Sequence, residues 1–290
     1  MPSAAPGPRL RVGLTQWHAT RDLAANTARA VEMIHACEGA DLVLLPENGL
    51  MLGTNAEMRA AALTVDAPEI AALRRAAADT GRAVVLGGFK RRHSGGVHNT
   101  ALVIDGRGEI AGGYDKIHLF DAVVDGRSFE ASGVELAGDR PVLLTVAGVT
   151  VGLTICYDVR FPELYRALAL AGAEVFLVPA AFTQRTGEAH WELLLRARAV
   201  ENAAYVVASA TVRGAEGGDA FPTYGHALAA GPWGEVLADL GEAPAACRVV
   251  ELDLAEVARR RESLPVLRGV RPGAYRVPAE IIDVDGGGRG

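Results

Sequence analysis

Three short stretches of the sequence each carry an apolar run into a polar residue able to do chemistry. Glu47 follows the run in LVLLPEN, Lys116 lies in GGYDKIHLFD, and Cys156 ends the run in GLTIC. Functional groups collect where the strands of an open α/β sheet end, so these three residues are candidates for one site. Taken singly, each has an ordinary explanation as a solvated carboxylate, a surface ammonium or a small core thiol.

The Cys156 thiol would need activation to act as a nucleophile, because a free thiol with a pKa of about 8.5 is mostly protonated at neutral pH. Pro162 marks the first turn of a predicted helix, whose N-terminal end favours an anion. Lys116 would favour the thiolate in the same way and could donate to an oxyanion. Glu47 could act as the general base. Among the seven histidines, His118 lies near Lys116, but no local pattern singles out a Cys–His pair.

The elements that would position these residues are short apolar strands alternating with amphipathic helices. Runs such as LRVGLTQW, ADLVLLPE, EVFLVPAAF and YVVASAT predict strands, and DLAANTARAVEMIHAC and EAHWELLLRARAVENA predict helices. Turns at Asp105-Gly106 and Ala147-Gly148 predict hairpins, and Gly81 is expected to end a helix. The alternation indicates an α/β fold with one mixed sheet or two sheets packed face to face. We expect one domain over residues 1–280 and a disordered tail over 281–290.

Composition excludes several classes of protein. Half of the 290 residues are hydrophobic and 22% are charged, which is the balance of a globular chain. The net charge of -6 argues against a nucleic-acid partner. No window is apolar enough to predict a membrane span, so no membrane partner is expected. The N-terminal segment lacks a signal-peptide pattern.

The three cysteines, Cys37, Cys156 and Cys247, are too widely spaced for a disulfide framework or a CxxC zinc site. Their usage suits a reducing compartment and predicts a cytoplasmic protein. His35 and Cys37 have an H-x-C spacing that would point them apart on a helix. We therefore expect no metal site.

The three motifs, in this order, resemble the signature motifs of the carbon–nitrogen hydrolase (nitrilase) superfamily. The resemblance extends from LRVGLTQW to LPVLRGVRPGAY, nearly the whole chain. It implies a four-layer αββα sandwich with two mixed sheets, and assembly into a homodimer or a higher homo-oligomer. It also implies hydrolysis of non-peptide C–N bonds through an acyl-thioester on cysteine, with no metal or organic cofactor.

Carried over residue by residue, the resemblance makes Cys156 the nucleophile, Glu47 the general base and Lys116 the cation that stabilises the oxyanion. The backbone N–H of Tyr157 would be a second oxyanion donor. These assignments place a rigid, exposed thiol at a corner between a strand and a helix.

One position departs from the family pattern. Many relatives carry a further glutamate in a stretch that corresponds to SFEASGVELAG. In an alignment without gaps through Ser132 and Gly138, Ala131 holds this position and Glu130 lies one residue early. The sequence leaves two alternatives. Either Glu130 serves as a fourth acidic residue, which we favour, or this group is missing.

The stretches RFPELYR and PAAFT resemble the branch that contains ω-amidases and deaminated-glutathione amidases. The resemblance implies that Arg160 and Thr183 contact a substrate carboxylate, which suits the forked guanidinium. Alternatively, Arg160 pairs with Glu163 and Thr183 is a turn residue. The expected substrate is a small amide that carries a carboxylate, and ammonia or an amine would leave.

Three other functions stay open at this point. N-carbamoyl amide hydrolases and aliphatic nitrilases share the same three catalytic residues. A binding protein with a vestigial pocket would need no catalysis, and the intact set of Glu47, Lys116 and Cys156 argues against it. A redox thiol protein is disfavoured because Cys37 and Cys247 are remote from Cys156 in sequence.

Overall fold

The computed structural model describes residues 8–93, 95–214, 220–279 and 281–282. In chain order its strands are β1 (Arg9–Trp17), β2 (Leu42–Leu44), β3 (Ala83–His93), β4 (Gly96–Ile104), β5 (Ile110–Asp115), β6 (Asp121–Val124), β7 (Arg127–Glu130), β8 (Val142–Val146), β9 (Val149–Leu153), β10 (Val175–Leu177), β11 (Tyr205–Ala208), β12 (Ala210–Thr211), β13 (Leu228–Ala230), β14 (Val236–Asp239) and β15 (Ala245–Asp253). The α-helices are α1 (Leu23–Ala36), α2 (Asn55–Ala60), α3 (Pro68–Thr80), α4 (Pro162–Leu170), α5 (Gln184–Asn202) and α6 (Leu254–Ser263).

Both large sheets are mixed. The first has the order β12-β1-β2-β3-β4-β5, and β15 pairs antiparallel with β1 along its whole length. The second has the order β14-β13-β11-β10-β9-β8, with β9, β10 and β11 parallel and the outer strands antiparallel. A separate hairpin is formed by β6 and β7. The sequence prediction of two mixed sheets is confirmed.

Side-chain alternation along β1 explains how the layers stack. Leu10, Val12 and Leu14 point to one face and pack with residues of the second sheet, so this face lies between the sheets. Trp17 points to the other face, where it packs in a second core with α1 and α3. Helices α4 and α5 pack on the outer face of the second sheet, as the contact of Tyr165 with Phe176 illustrates. The result is the predicted four-layer αββα sandwich.

The short central strands β2 and β10 are buried along their whole length, as expected for strands covered on both faces. Local signals in the sequence set where other elements turn. Gly81 ends α3 with a φ of 68°, and the β8–β9 hairpin turns through Ala147 and Gly148, whose φ angles are 49° and 77°. These values fit a two-residue type I′ turn, which confirms that hairpin prediction.

Within the described ranges, no helix is long and apolar enough to cross a membrane. The predicted disordered tail falls outside the described residues except for Ile281 and Ile282, whose side chains are exposed. The assignment of residues 1–280 to one domain stays a prediction.

Candidate active site

The structure brings Glu47, Lys116 and Cys156 together in one buried cluster. Glu47 lies just beyond β2, Lys116 follows β5, and Cys156 lies just beyond β9, so two sheets contribute. The Lys116 Nζ lies 2.8 Å from Glu47 Oε1. Cys156 lines the same pocket as both residues, and its thiol interacts electrostatically with the Glu47 carboxylate. The strand-end pattern in the sequence therefore located residues that meet in space.

Glu47 is held by three donors. Besides Lys116, Asn99 Nδ2 donates to Oε1 at 2.9 Å, and the backbone N–H of Ala181 donates to Oε2 at 3.0 Å. Gly88 makes room for the carboxylate, because a Cβ there would lie 2.6 Å from Glu47 Cγ and the φ of Gly88 is 56°. Sequence reasoning missed Asn99, although an asparagine inside the apolar strand HNTALVI is itself a signal for a buried polar contact.

The charges of the cluster favour an ionised carboxylate. Burial raises the pKa of Glu47, but the charges of Lys116 and then Lys90 outweigh burial, and the net pKa lies below the ordinary value. For Lys116, burial lowers the pKa, and the nearby Glu47 carboxylate outweighs it, so the net pKa is raised. At neutral pH the resting site therefore holds a carboxylate beside an ammonium.

The pKa of the Cys156 thiol is raised, first by burial and next by the negative charge of Glu47. The start of the following helix and the Lys116 ammonium were both expected to favour the thiolate. The lysine does act in that direction, but it is outweighed by burial together with Glu47. Cys156 therefore rests as a thiol, and the neighbouring Glu47 carboxylate is a group able to accept its proton.

The corner that carries Cys156 is unusual in its backbone. Cys156 begins a 3₁₀ turn, Cys156–Arg160, with a φ of 48°, a conformation that side chains other than glycine rarely adopt. Its N–H donates to Pro179 O at 2.9 Å. The next N–H, that of Tyr157, forms no backbone hydrogen bond with any described residue. A strained corner with a free N–H beside the nucleophile is typical of functional sites.

Asp158 links this corner to the segment that carries Lys116. It was not among the residues selected from the sequence. It is fully buried and accepts hydrogen bonds from Tyr114 Oη at 2.8 Å and from the Ile155 N–H at 2.9 Å. His118 adds its backbone N–H at 3.1 Å and a ring contact at 2.7 Å. The Asp158 carboxylate therefore holds the segments of Cys156 and Lys116 in a fixed relative position.

A pocket opens onto the cluster, and its empty space, including solvent at its mouth, is about 600 Å³. Aromatic side chains form much of its wall: Phe120, Phe129, Tyr157, Phe182 and Phe221. Among the described residues, no group of His, Cys, Asp and Glu side chains is arranged to hold a metal ion.

Arg160 and Thr183 both line this pocket. The Arg160 guanidinium lies over the rings of Tyr157 and Phe182, at 5.9 and 5.2 Å, and 3.3 Å from a ring nitrogen of His190. It forms no ion pair with Glu163 or with another described carboxylate. Thr183 is the N-cap of α5, and its hydroxyl lies 2.8 Å from that of Thr186. Thr183 is thus both a capping residue and part of the pocket wall.

The structure does not bring Glu130 into the pocket. Glu130 is exposed at the end of β7 and accepts a hydrogen bond from Ser128 Oγ at 3.0 Å. Ala131 lines the pocket, and the buried carboxylate beside it is that of Glu135, which pairs with Lys90 at 2.6 Å. A 3₁₀ turn over Ala131–Gly133 carries the chain around so that Glu135, not Glu130, faces the site.

Cys37 and Cys247 are remote in sequence but adjacent in space. The pairing of β15 with β1 sets Cys247 opposite Thr15, on the face covered by α1, and Cys37 is the C-cap of that helix. Burial, and next the neighbouring Cys247, raise the pKa of Cys37. Neither residue lines the pocket of Cys156.

Comparison with known proteins gives consistent matches. The family model described as carbon–nitrogen hydrolase matches residues 11–262. A deaminated glutathione amidase from Synechocystis is 39% identical over 85% of this chain and 93% of that protein. The chloroplastic omega-amidase of Arabidopsis thaliana is 34% identical over 98% of this chain and 79% of its own length. The crystal structure of the C. elegans NitFhit protein superposes with a TM-score of 0.84 at 34% identity, covering 94% of this chain and 67% of that one.

Proposed function

Because the chain belongs to the carbon–nitrogen hydrolase family and is an amidase of that family, we propose that it hydrolyses the amide bond of a small carboxylate-bearing amide through a thioester on Cys156. The observation that carries this proposal is the ion pair of Glu47 with Lys116 at 2.8 Å, buried in the pocket that Cys156 also lines. The cluster lies in the same pocket as Arg160, a cation without a carboxylate partner among the described residues.

In the first half of the reaction, Cys156 Sγ forms a bond to the amide carbonyl carbon while Glu47 takes the thiol proton. The negative charge that develops on the oxygen is stabilised by the Lys116 ammonium and the Tyr157 N–H. The C–N bond then breaks, the leaving nitrogen takes the proton from Glu47, and an acyl-thioester remains.

In the second half, a water molecule replaces the departed amine. Glu47 takes a proton from this water as its oxygen bonds to the thioester carbon. The C–S bond breaks, the sulfur regains a proton from Glu47, and the acid leaves. The site returns to its resting state, and no step of this scheme uses a metal or an organic cofactor.

The carboxylate of the substrate is assigned to Arg160, assisted by Thr183. A guanidinium binds a carboxylate through two parallel hydrogen bonds, and the flanking rings of Tyr157 and Phe182 keep its plane fixed. The names of the relatives, deaminated glutathione amidase and omega-amidase, support an amide substrate for this chain as well.

The experiment that tests the proposal is a panel of substrates with ammonia release as the readout. The panel contains α-ketoglutaramate, deaminated glutathione with product analysis, N-carbamoyl-β-alanine, a simple nitrile and a neutral aliphatic amide. Turnover confined to the carboxylate-bearing amides, and absent in Cys156→Ala, is expected. Preferential turnover of the N-carbamoyl compound or the nitrile would instead assign the alternative hydrolase activities, and silence across the panel would contradict the proposal.

We further propose that the protein works in the cytoplasm as a homodimer or a higher homo-oligomer. Apolar side chains are exposed on the outer face of α4 and α5 and on the adjoining turn: Leu170, Leu193, Val200 and Trp233. Contact with a second copy would remove this apolar surface from water. Sedimentation of the protein and of Leu193→Glu checks the assembly, since a monomeric wild type would contradict it.

A further inference from the structure

Lys90 and Glu135 form a second buried ion pair in the pocket, separate from that of Glu47 and Lys116. Their side chains are 9% and 3% exposed, and Lys90 Nζ lies 2.6 Å from Glu135 Oε1. Both residues line the pocket of Cys156. A paired lysine and glutamate present no net charge, and separating them would leave an uncompensated buried ion.

Lys90 and Glu135 lie in the part of the pocket lining near Glu47, which is called here the wall around Glu47 and also includes Asn99. Lys90 on β3 lies directly opposite Asn99 on β4, so the two side chains share a face, and Asn99 donates to Glu47. The charge of Lys90 also acts on the Glu47 carboxylate. Glu135 is fixed at the same place, because its N–H donates to Ala131 O at 2.9 Å and the next N–H, that of Leu136, donates to β4.

The wall around Glu47 is where the leaving nitrogen must lie, since Glu47 is the group that protonates it in the proposed reaction. Arg160 has different neighbours, since it lies over the rings of Tyr157 and Phe182 and beside His190 of α5. The acyl side of the pocket, at Arg160, thus offers a cation without a carboxylate partner among the described residues. The nitrogen side, at Glu47, offers Lys90, whose charge is already neutralised by Glu135.

Asn48 adds a hydrogen-bond acceptor to the nitrogen side. It follows Glu47 directly, lines the pocket and is 7% exposed, and its Oδ1 has no hydrogen-bond partner among the described residues. Its backbone is fixed by a φ of 54° and by donation to Gly88 O at 2.9 Å. A buried acceptor without a donor is costly, so a substrate N–H that reached it would gain a hydrogen bond.

We propose that Asn48, Lys90 and Glu135 form a leaving-group subsite that accepts an uncharged nitrogen with N–H donors and rejects an anionic amine. The preferred substrates are then primary amides with one carboxylate on the acyl side, and ammonia leaves. A primary amide has two N–H groups, one for Glu47 and one for Asn48. An amine with its own carboxylate, such as an amino acid, would have to compete with Glu135 for Lys90. This inference rests on the proposed amidase function.

The test compares substrates that share an acyl group and differ only in the leaving group. These are α-ketoglutaramate, its N-methyl derivative and its N-carboxymethyl derivative, with the common product α-ketoglutarate measured in each case. The specificity ratio is kcat/KM for the primary amide divided by kcat/KM for the N-carboxymethyl amide. The N-methyl compound separates the effect of size from that of charge. We expect a ratio well above one in the wild type, with the N-methyl amide between the two.

Glu135→Gln frees Lys90 and should lower the ratio by about tenfold or more, because an anionic leaving group gains an unpaired cation. Lys90→Gln leaves Glu135 without its cationic partner and should raise the specificity ratio. This second variant keeps the test decisive if Glu135→Gln does not fold. Glu130→Gln, an exposed carboxylate outside the pocket, is the matched control and should leave the ratio unchanged. A merely structural role would lower both rates together and leave the ratio fixed.

Three outcomes overturn the inference. The first is a wild-type ratio near one, and the second is a ratio in folded Glu135→Gln and Lys90→Gln that stays within twofold of the wild type. Either result leaves the amidase proposal standing. The third outcome, no turnover of any carboxylate-bearing amide by the wild type, overturns the proposed function and the subsite with it.

Discussion

The hydrogen bond from Asn99 to Glu47 offers a quantitative test of the general base. Asn99→Leu removes the Nδ2 donor, which lies 2.9 Å from Glu47 Oε1, and keeps a similar side-chain volume. Asn99 is only 1% exposed, so water does not readily replace the lost donor. The carboxylate keeps Lys116 and the Ala181 N–H. The variant therefore weakens the stabilisation of ionised Glu47 without abolishing it.

The magnitude follows from the kind of bond that is lost. A hydrogen bond to a charged group contributes about 1.5–3 kcal/mol. One pH unit corresponds to about 1.4 kcal/mol. The acidic limb of the pH profile, where kcat/KM falls as the pH falls, should therefore move to a pH that is higher by about one to two units. The sign is fixed, because the pKa of Glu47 is lowered in the folded protein and the ionised form is the base. Activity is lost as pH falls through this pKa, and the variant loses it at a higher pH.

The assay is kcat/KM for α-ketoglutaramate between about pH 4 and pH 9 at constant ionic strength, since this parameter reports the free enzyme. Thr100→Val is the matched control. Thr100 is the next residue on β4, and its hydroxyl donates to Asp115 at 2.5 Å, outside the pocket. It should lower the free energy of unfolding without moving the acidic limb. An unmoved limb in folded Asn99→Leu, or an equal movement in Thr100→Val, would refute the assignment of Glu47.

Three further substitutions probe the nucleophile, the carboxylate site and a helix cap. Cys156→Ala should abolish turnover while the thermal unfolding midpoint stays close to that of the wild type; residual amidase activity would remove Cys156 as nucleophile. Arg160→Lys should raise KM for carboxylate-bearing amides by about tenfold and leave neutral amides nearly unchanged, because the forked contact is lost; equal losses on both would indicate a structural role. Thr54→Ala should cost about 0.5–2 kcal/mol of unfolding free energy in denaturant titrations, since it removes the capping box with Glu57 at the start of α2; an unchanged midpoint would contradict the cap.

The cluster of Glu47, Lys116 and Cys156 could be predicted because each of its residues follows a recognisable apolar strand. Glu47, Lys116 and Cys156 are polar residues at the ends of β2, β5 and β9, and strand ends are local features that a sequence displays. The hairpin at Ala147-Gly148 was readable for the same reason, because its turn residues sit between two apolar runs.

The residues around the cluster depend on contacts that are distant in sequence. Lys90 meets Asn99 through strand pairing, and the register of that pairing shifts between Leu86 and Phe89. An irregularity of this kind decides which face a side chain takes and leaves no clear mark in the sequence. Glu130 was favoured as a fourth acidic residue and Glu135 was not considered, because an alignment without gaps cannot show how a 3₁₀ turn redirects the chain.

The protonated resting state of Cys156 also bears on how the protein withstands oxidants. Peroxides and most alkylating reagents attack a thiolate far faster than a thiol. Burial and the neighbouring carboxylate raise the pKa of this sulfur. In the proposed reaction its proton passes to Glu47 only when the sulfur attacks a bound amide. The Cys156 sulfur is therefore expected to be reactive mainly while a substrate occupies the pocket. On the proposed mechanism, the buried carboxylate that accepts the sulfur's proton during hydrolysis is also expected to keep the sulfur protonated, and so less open to oxidation, between turnovers.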